Sequence, residues 1–249
     1  MKFGREIMLR ISGLLMLAVL WQTAGHVNHS PALPPLGRVL HTLYYFIRDG
    51  TLTQHIFASL WIISIGIGVA VFGGFVLGLL MFRYRYIKTA TLPVVESIRG
   101  VAALTLFPLL IVLFGLGTFS RAFIIFWTAW SAVVLSTLNS LNVDESVVDA
   151  ARVFGADDWR IILSIRIPMA AQGLITGIRI GVGGGWIGLI AAEMLGATRG
   201  LGYFLLWSAQ SFQFERVYAT IIVIAAIGGA MNGILLLIQK QLAKLTGVT

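Results

Sequence analysis

Residues 56–82 read IFASLWIISIGIGVAVFGGFVLGLLMF, a run of 27 positions from Ile56 to Phe82 without a formal charge. A helix needs roughly 20 apolar residues to cross the hydrocarbon of a bilayer. At about 1.5 Å per residue this run reaches about 40 Å, enough to span with residues to spare. No water inside a bilayer can satisfy open backbone groups, so the segment must be a helix. The nearest cations flank it on one side only, at Arg83, Arg85 and Lys88.

The rest of the chain repeats this texture. Of 249 residues, 58% are hydrophobic and 11% are charged, where soluble domains carry about 25% charged residues. A mean hydropathy of +0.91 places the chain in the membrane class. Further apolar runs cover residues 11–37, 100–120, 122–143, 167–192 (broken by Arg179) and 217–239. The expectation is an all-α integral membrane protein with one transmembrane domain over residues 1–249. Its six helices are expected near 8–26, 56–82, 98–116, 121–141, 169–195 and 217–239, with a cytoplasmic helix–turn–helix at 142–168 between the fourth and fifth. The first run has the basic start of a signal peptide but no small-x-small cleavage site, and reads as an uncleaved helix. Pro31, Pro34 and Pro35 break any helix there, and Leu36, Val39, Leu40, Leu43 and Ile47 then recur at helical spacing on a stretch expected to lie along the outer surface. No repeat or second domain is visible.

The formal charge is +8. The cations sit at the ends of apolar runs, which is topology rather than a polyanion site, so no nucleic acid partner is implied and membrane lipid is. Lys2, Arg5 and Arg10 precede the first span; Arg152, Arg160 and Arg166 follow the fourth; Lys240 and Lys244 follow the sixth. The positive-inside rule then puts both termini in the cytoplasm. The chain has no Cys, which removes disulfides and thiolate chemistry.

Residues 142–154 have helical amphipathicity, with Val143, Val147, Ala150 or Ala151, and Phe154 on one face. Asn142 or Asp144 can cap the start, Glu145 complements the dipole, and Asp149 pairs with Arg152 one turn on. Gly155 suits a left-handed stop, a second helix is expected over 156–164 carrying Trp159, and Pro168 marks entry into the fifth span. The spacing runs Ala150-Ala151, three residues, Gly155, nine residues, Ile165-Arg166-Ile167-Pro168. It resembles the "EAA" loop of ABC importer permeases, with Asp149 for the usual Glu and Ile167 for the usual Leu. Residues 56–239 look like the branch serving taurine, alkanesulfonates, nitrate and related small anions, through Glu96-Ser-Ile-Arg99, Thr176-Gly-Ile-Arg-Ile-Gly181 and Ala192-Glu-Met-Leu-Gly-Ala-Thr-Arg-Gly-Leu-Gly202. The Gly100-Val-Ala-Ala stretch departs from the Pro-rich turn of many members.

The resemblance implies a permease subunit of the bacterial inner membrane, with no cofactor of its own. ATP and Mg would be bound by two separate ATPase subunits. An extracytoplasmic solute-binding protein would deliver solute, and the chain would pair with itself. Asp149, Ala150, Ala151, Gly155, Trp159 and Pro168 would couple the spans to the ATPase.

Ionisable groups inside spans are costly and draw functional attention. Arg99 and Arg179 are candidate contacts for a translocating anion, with Trp186 and Glu193 as further pathway candidates. Each has a structural alternative. Glu96 and Arg99 can pair with each other, Arg179 can hold two helices together, Trp186 can pack like Trp127, Trp130 and Trp207, and Glu193 can make a structural or gating hydrogen bond. Gly177, Gly181 and Gly185, like Gly74 and Gly78, are spaced for close helix packing rather than nucleotide binding. His26, His29, His41 and His55 read as solvated loop residues, with His26 and His29 too few for a metal site. The chain has no phosphate-binding loop for ATP and no catalytic constellation. A stand-alone secondary transporter is the alternative reading; it would show inverted repeats and paired charges at mid-membrane.

Overall fold

A computed structural model describes residues 2–27 and 30–246, and among these the regular elements are helical throughout. His29 lies outside the described residues, and the side chains of Lys2, Arg5, Arg10 and Lys244 lie outside the described ones. The helices are α1 (Lys2–Val27), α2 (Leu36–Arg48), α3 (Thr51–Arg83), α4 (Arg85–Gly100), α5 (Phe107–Phe114), α6 (Thr118–Ser140), α7 (Glu145–Val153), α8 (Asp158–Ile161), α9 (Ile167–Gly196), α10 (Leu201–Gln210) and α11 (Phe214–Thr246).

Four stretches among the described residues are long and apolar enough to cross a membrane: Thr51–Arg83, Thr118–Ser140, Asp158–Gly196 and Phe214–Ala243. α6 lies between α3 and α9, and small residues let it do so. In lipid, helices gain nothing by hiding apolar surface from one another, so association rests on close van der Waals fit. α3 turns Gly66, Ala70, Gly74 and Gly78 inward. A Cβ on Gly66 would stand 2.6 Å from the Ile125 Cβ, one on Gly74 2.8 Å from Val133, and one on Gly78 2.6 Å from Thr137. From the other side, a Cβ on Gly181 would lie 3.1 Å from Ala129 and one on Gly185 3.0 Å from Ile125. The Ser136 hydroxyl donates to the Gly173 carbonyl at 2.6 Å. Both expected glycine faces are therefore packing faces.

Residues 98–116, expected as one straight span, are broken. α4 and the stretch Ala103–Phe114 meet at an angle of 88°. The backbone is extended at Val101 and Ala102, a single 3₁₀ turn follows at Ala103–Leu106, and Pro108 falls in the first turn of α5, where its missing N–H costs nothing. α5 has 8 residues and stops at Gly115, a length of about 12 Å that cannot cross a bilayer alone. Apolar composition alone does not distinguish this bend from a straight span. α2 forms where the amphipathic spacing predicted it, directly after Pro35. Its buried residues are Val39 and Phe46, while Leu40 and Ile47 are exposed.

Candidate coupling segment and buried locks

α6 ends at Ser140, and the chain then builds a short, heavily capped helix. The Asp144 side chain accepts the Ser146 backbone N–H at 3.0 Å and caps α7. That bond, with the Ser146 hydroxyl, holds the Asp144 carboxyl below its usual pKa. α7 ends in a paired closure. The Gly155 N–H reaches the Arg152 carbonyl at 2.9 Å and the Ala156 N–H reaches Ala151 at 3.1 Å, the Schellman pattern. Gly155 has φ +81°, the left-handed conformation inferred from sequence. Asp157 then caps α8 through the Arg160 N–H at 3.0 Å.

The second helix expected over residues 156–164 is not a separate element. α8 runs through a π turn at Ile162–Arg166 directly into α9. The Ile167 N–H reaches back to the Ile162 carbonyl, one residue further than in an α-helix. Pro168 explains the widening. It has no N–H for residue 164, and its ring would press on that carbonyl in a tight helix. Pro168 therefore sits in the first turn of α9 and widens the helix at that point without breaking it.

Arg166 ties this segment to the bundle. It is 6% exposed, donates to the Leu141 carbonyl at 2.9 Å and pairs with Glu145 at 3.0 Å. Its guanidinium lies 4.9 Å from the centroid of the Phe82 ring. One side chain thus joins the ends of α3 and α6 to the first turn of α7. Asp158 adds a second tie, 3.4 Å from Arg83 and 3.8 Å from Arg152, and Arg152 also pairs with Asp149 at 3.5 Å. Val148 is the buried residue of α7. The face inferred from sequence points outward: Val147, Ala150, Phe154 and Trp159 are exposed, and Ala151 is half-buried. Phe154 is 89% exposed. Arg166 entered the sequence reading only as a topology cation. The signal available for it was a lone Arg between Ile165 and Ile167 in an otherwise apolar turn.

At the opposite end of α9, Glu193 is fully buried. The Ser59 hydroxyl donates to both carboxylate oxygens, at 2.7 and 2.9 Å, and the Gly202 N–H donates at 2.8 Å. Ser59 in turn accepts the Leu201 N–H at 2.9 Å. Gly200, at φ +124°, leaves no room for a Cβ against this carboxylate. The result is a lock joining α3, α9 and the start of α10. His55 belongs to it too: its Nδ1 accepts the Gly200 N–H at 3.2 Å and its ring stacks on Phe204 at 4.8 Å. His55 is therefore a packed helix residue, not a solvated loop residue. Ser59, Gly200 and Gly202 escaped the sequence reading because a lone Ser in a span and a Gly-Leu-Gly turn carry no chemical signature.

The remaining candidates are dispersed. Arg179 donates to Gln239 at 3.2 Å, and Gln239 donates to Thr176 at 2.9 Å, so Arg179 bridges α9 and α11. Trp186 is 7% exposed and donates to the Ile224 carbonyl at 3.3 Å inside the main apolar core. Glu96 and Arg99 are both exposed on α4, and the ion pair expected between them is not formed. Trp127 donates to the Val101 carbonyl at the break. Trp130 stacks on Phe126, and Trp207 on Phe204. No group of three His, Asp or Glu among the described residues is arranged to hold a metal.

Three comparisons bear on what such a molecule is. Residues 44–246 match the family model described as "Binding-protein-dependent transport system inner membrane component". The chain is 32% identical to the taurine transport system permease protein of Escherichia coli (strain K12), over 96% of this chain and 90% of that one. It is 28% identical to the nitrate import permease protein of Synechocystis sp., over 86% and 82%. Its fold is similar to a chain of the MetNI methionine ABC transporter in an inward-facing form, with a TM-score of 0.63 at 15% identity, covering 77% of this chain and 98% of that one. A multi-pass helical chain with a capped, outward-facing helix between two apolar stretches belongs, on these grounds, to the binding-protein-dependent inner membrane components: it is a non-catalytic permease subunit of an ABC importer, whose ATPase is a separate chain.

Proposed function

We propose that this permease translocates a small anion by alternating access, taurine or an alkanesulfonate ahead of nitrate or bicarbonate. Two ATPase subunits, binding ATP and Mg, act from the cytoplasm on residues 142–168. A solute-binding protein delivers solute at the other face, and two copies of the chain form the pore. The termini lie in the cytoplasm of the bacterial cell. The observation that carries the coupling role is the apolar outer face of α7 on a helix tied through Arg166 to three others. Ala150 and Ala151 permit close approach, Asp149 holds Arg152, Gly155 sets the turn, Trp159 extends the face and Pro168 sets the π turn. The substrate class is supported by the relative named for taurine transport. Of the four pathway candidates, Arg99 is the exposed cation and the proposed anion contact. Arg179, Trp186 and Glu193 instead hold α9 to α11, α3 and α10.

The test is reconstitution of the permease with its ATPase and binding protein in proteoliposomes. ATP inside and labelled taurine outside should give uptake that stops without ATP. Uptake driven by an ion gradient alone would identify a secondary transporter and overturn the proposal.

A further inference from the structure

The break between α4 and α5 lies at the depth of the hydrocarbon. The Trp127 indole donates to the Val101 carbonyl at 3.3 Å. α6 runs from Thr118 to Ser140, so Trp127 stands about 14 Å from one end of that span and about 20 Å from the other. The hydrocarbon is roughly 30 Å thick, and the break falls inside it. Non-helical backbone is tolerated at that depth only where protein covers it or water reaches it. This chain does not cover it: Val101, Ala102, Leu104 and Thr105 are exposed.

The acceptors of the break are satisfied from within. Trp127 takes the Val101 carbonyl, and the Thr105 hydroxyl and N–H donate to the Ala102 carbonyl at 2.7 and 2.9 Å. The donors are not. Among the described residues nothing accepts the Ala102 or the Ala103 N–H, and an N–H left open in hydrocarbon is costly. The turn just before the break adds Glu96, Ser97 and Arg99, all exposed. Beside it a cleft of about 340 Å³ runs between Ser97, Val101 and Trp127, room for several waters at about 30 Å³ each. A packed helix of a second copy has used its backbone acceptors internally and offers none to these N–H groups. Water serves the N–H groups and charges of both signs alike.

We propose that the break is a hydrated, non-helical section of the translocation route, and that Trp127 is its positioning residue, holding the Val101 carbonyl. The inference rests on the proposed route past Arg99 and adds to it the open backbone at Ala102 and Ala103. Hydration also accounts for the shape of the chain here: two extended residues and a bend of 88° are stable in a bilayer only where water meets them.

The test uses the full chain with its ATPase in lipid nanodiscs. The chain has no native Cys, so single cysteines are read against a silent background. A charged methanethiosulfonate, which modifies thiolates in water, is applied to Ala102→Cys and, as a second variant, Val101→Cys. The reference is Phe72→Cys, 75% exposed on an apolar stretch of α3. Both break positions should react at least tenfold faster than the reference, either with or without ATP. Rates as slow as at Phe72 in both conditions overturn the proposal; that is the result if lipid or a second copy covers the break. Trp127→Phe keeps a ring and loses the bond to Val101. It should change the rate at Ala102→Cys at least threefold and leave the rate at Phe154→Cys unchanged. No change at Ala102, or an equal change at both positions, removes Trp127 as the positioning residue. Uptake is scored separately. ATP-driven uptake with a dry break removes only this inference, and a hydrated break in a chain driven by an ion gradient removes only the importer reading.

Discussion

Gly155 and Arg166 carry the residue-scale consequences. A β-branched side chain is strained at φ +81°. Gly155→Val should therefore unwind the end of α7, leaving ATP hydrolysis and losing at least tenfold in uptake, while membrane insertion stays normal. Normal uptake in that variant would remove Gly155 from coupling. Arg166→Met keeps the bulk and breaks the ties to Leu141 and Glu145. Breaking a buried pair costs about 3–5 kcal/mol, but Glu145 is 66% exposed and water will solvate it, so about 1–2 kcal/mol is the reasonable scale. The expected result is a fall of a few degrees in Tm and a larger loss in the ratio of transport to ATP hydrolysis. An unchanged ratio would make Arg166 merely structural. Glu193→Ala strands the Ser59 hydroxyl and the Gly202 N–H and should cost about 2–4 kcal/mol, whereas Glu193→Gln should cost less because an amide oxygen still accepts. Equal Tm values for the two variants would refute the lock.

At the scale of elements, α6 is held on both sides, so its neighbours have no slack. Gly74→Leu or Gly78→Leu places a side chain where even a Cβ would stand 2.8 or 2.6 Å from α6. Overpacking of this kind costs about 1–3 kcal/mol or more, and the folded yield in detergent should drop. The outward positions Gly68 and Gly229, where a Cβ meets nothing, should accept Ala without loss. This layer of the structure was legible in advance. Spacing of four among small residues identified the packing faces of α3 and α9, amphipathic spacing found α2, and Gly155 identified the end of α7. The break at Val101–Ala102 was not legible, because two extended residues inside an apolar run leave hydropathy unchanged. The direction of α7 was not legible for a related reason. Periodicity shows that an apolar face exists but not what covers it, and here Val148 faces the bundle while Val147 and Phe154 face away. The function was easier to read than the contacts, since the loop spacing is a pattern along the chain, whereas the Glu193 lock is assembled from residues 134 positions apart.

For the whole molecule, the orientation is open to a direct check. The chain has no native Cys, so single cysteines report without background. With both termini in the cytoplasm, Phe154→Cys should react with an impermeant maleimide only from the cytoplasmic side, and Arg38→Cys only from the opposite side. Labelling of both from one face would reverse or abolish the proposed topology.

The union of α8, the π turn and α9 into one stretch, Asp158–Gly196, has a mechanical meaning. Under the proposed coupling role it would serve as a connecting rod. Its base carries Asp158 and Arg166, held to the coupling segment, and Glu193 near its tip holds the start of α10. Thirty-five residues separate Asp158 from Glu193, about 52 Å along the axis. A tilt of ~5° about the middle of such a rod moves each tip by about 2 Å in opposite directions, by the same helix geometry. That is close to a hydrogen-bond length. A push on one face of the membrane and the release of a latch on the other can thus be a single motion of one helix, with no relay of side chains between them.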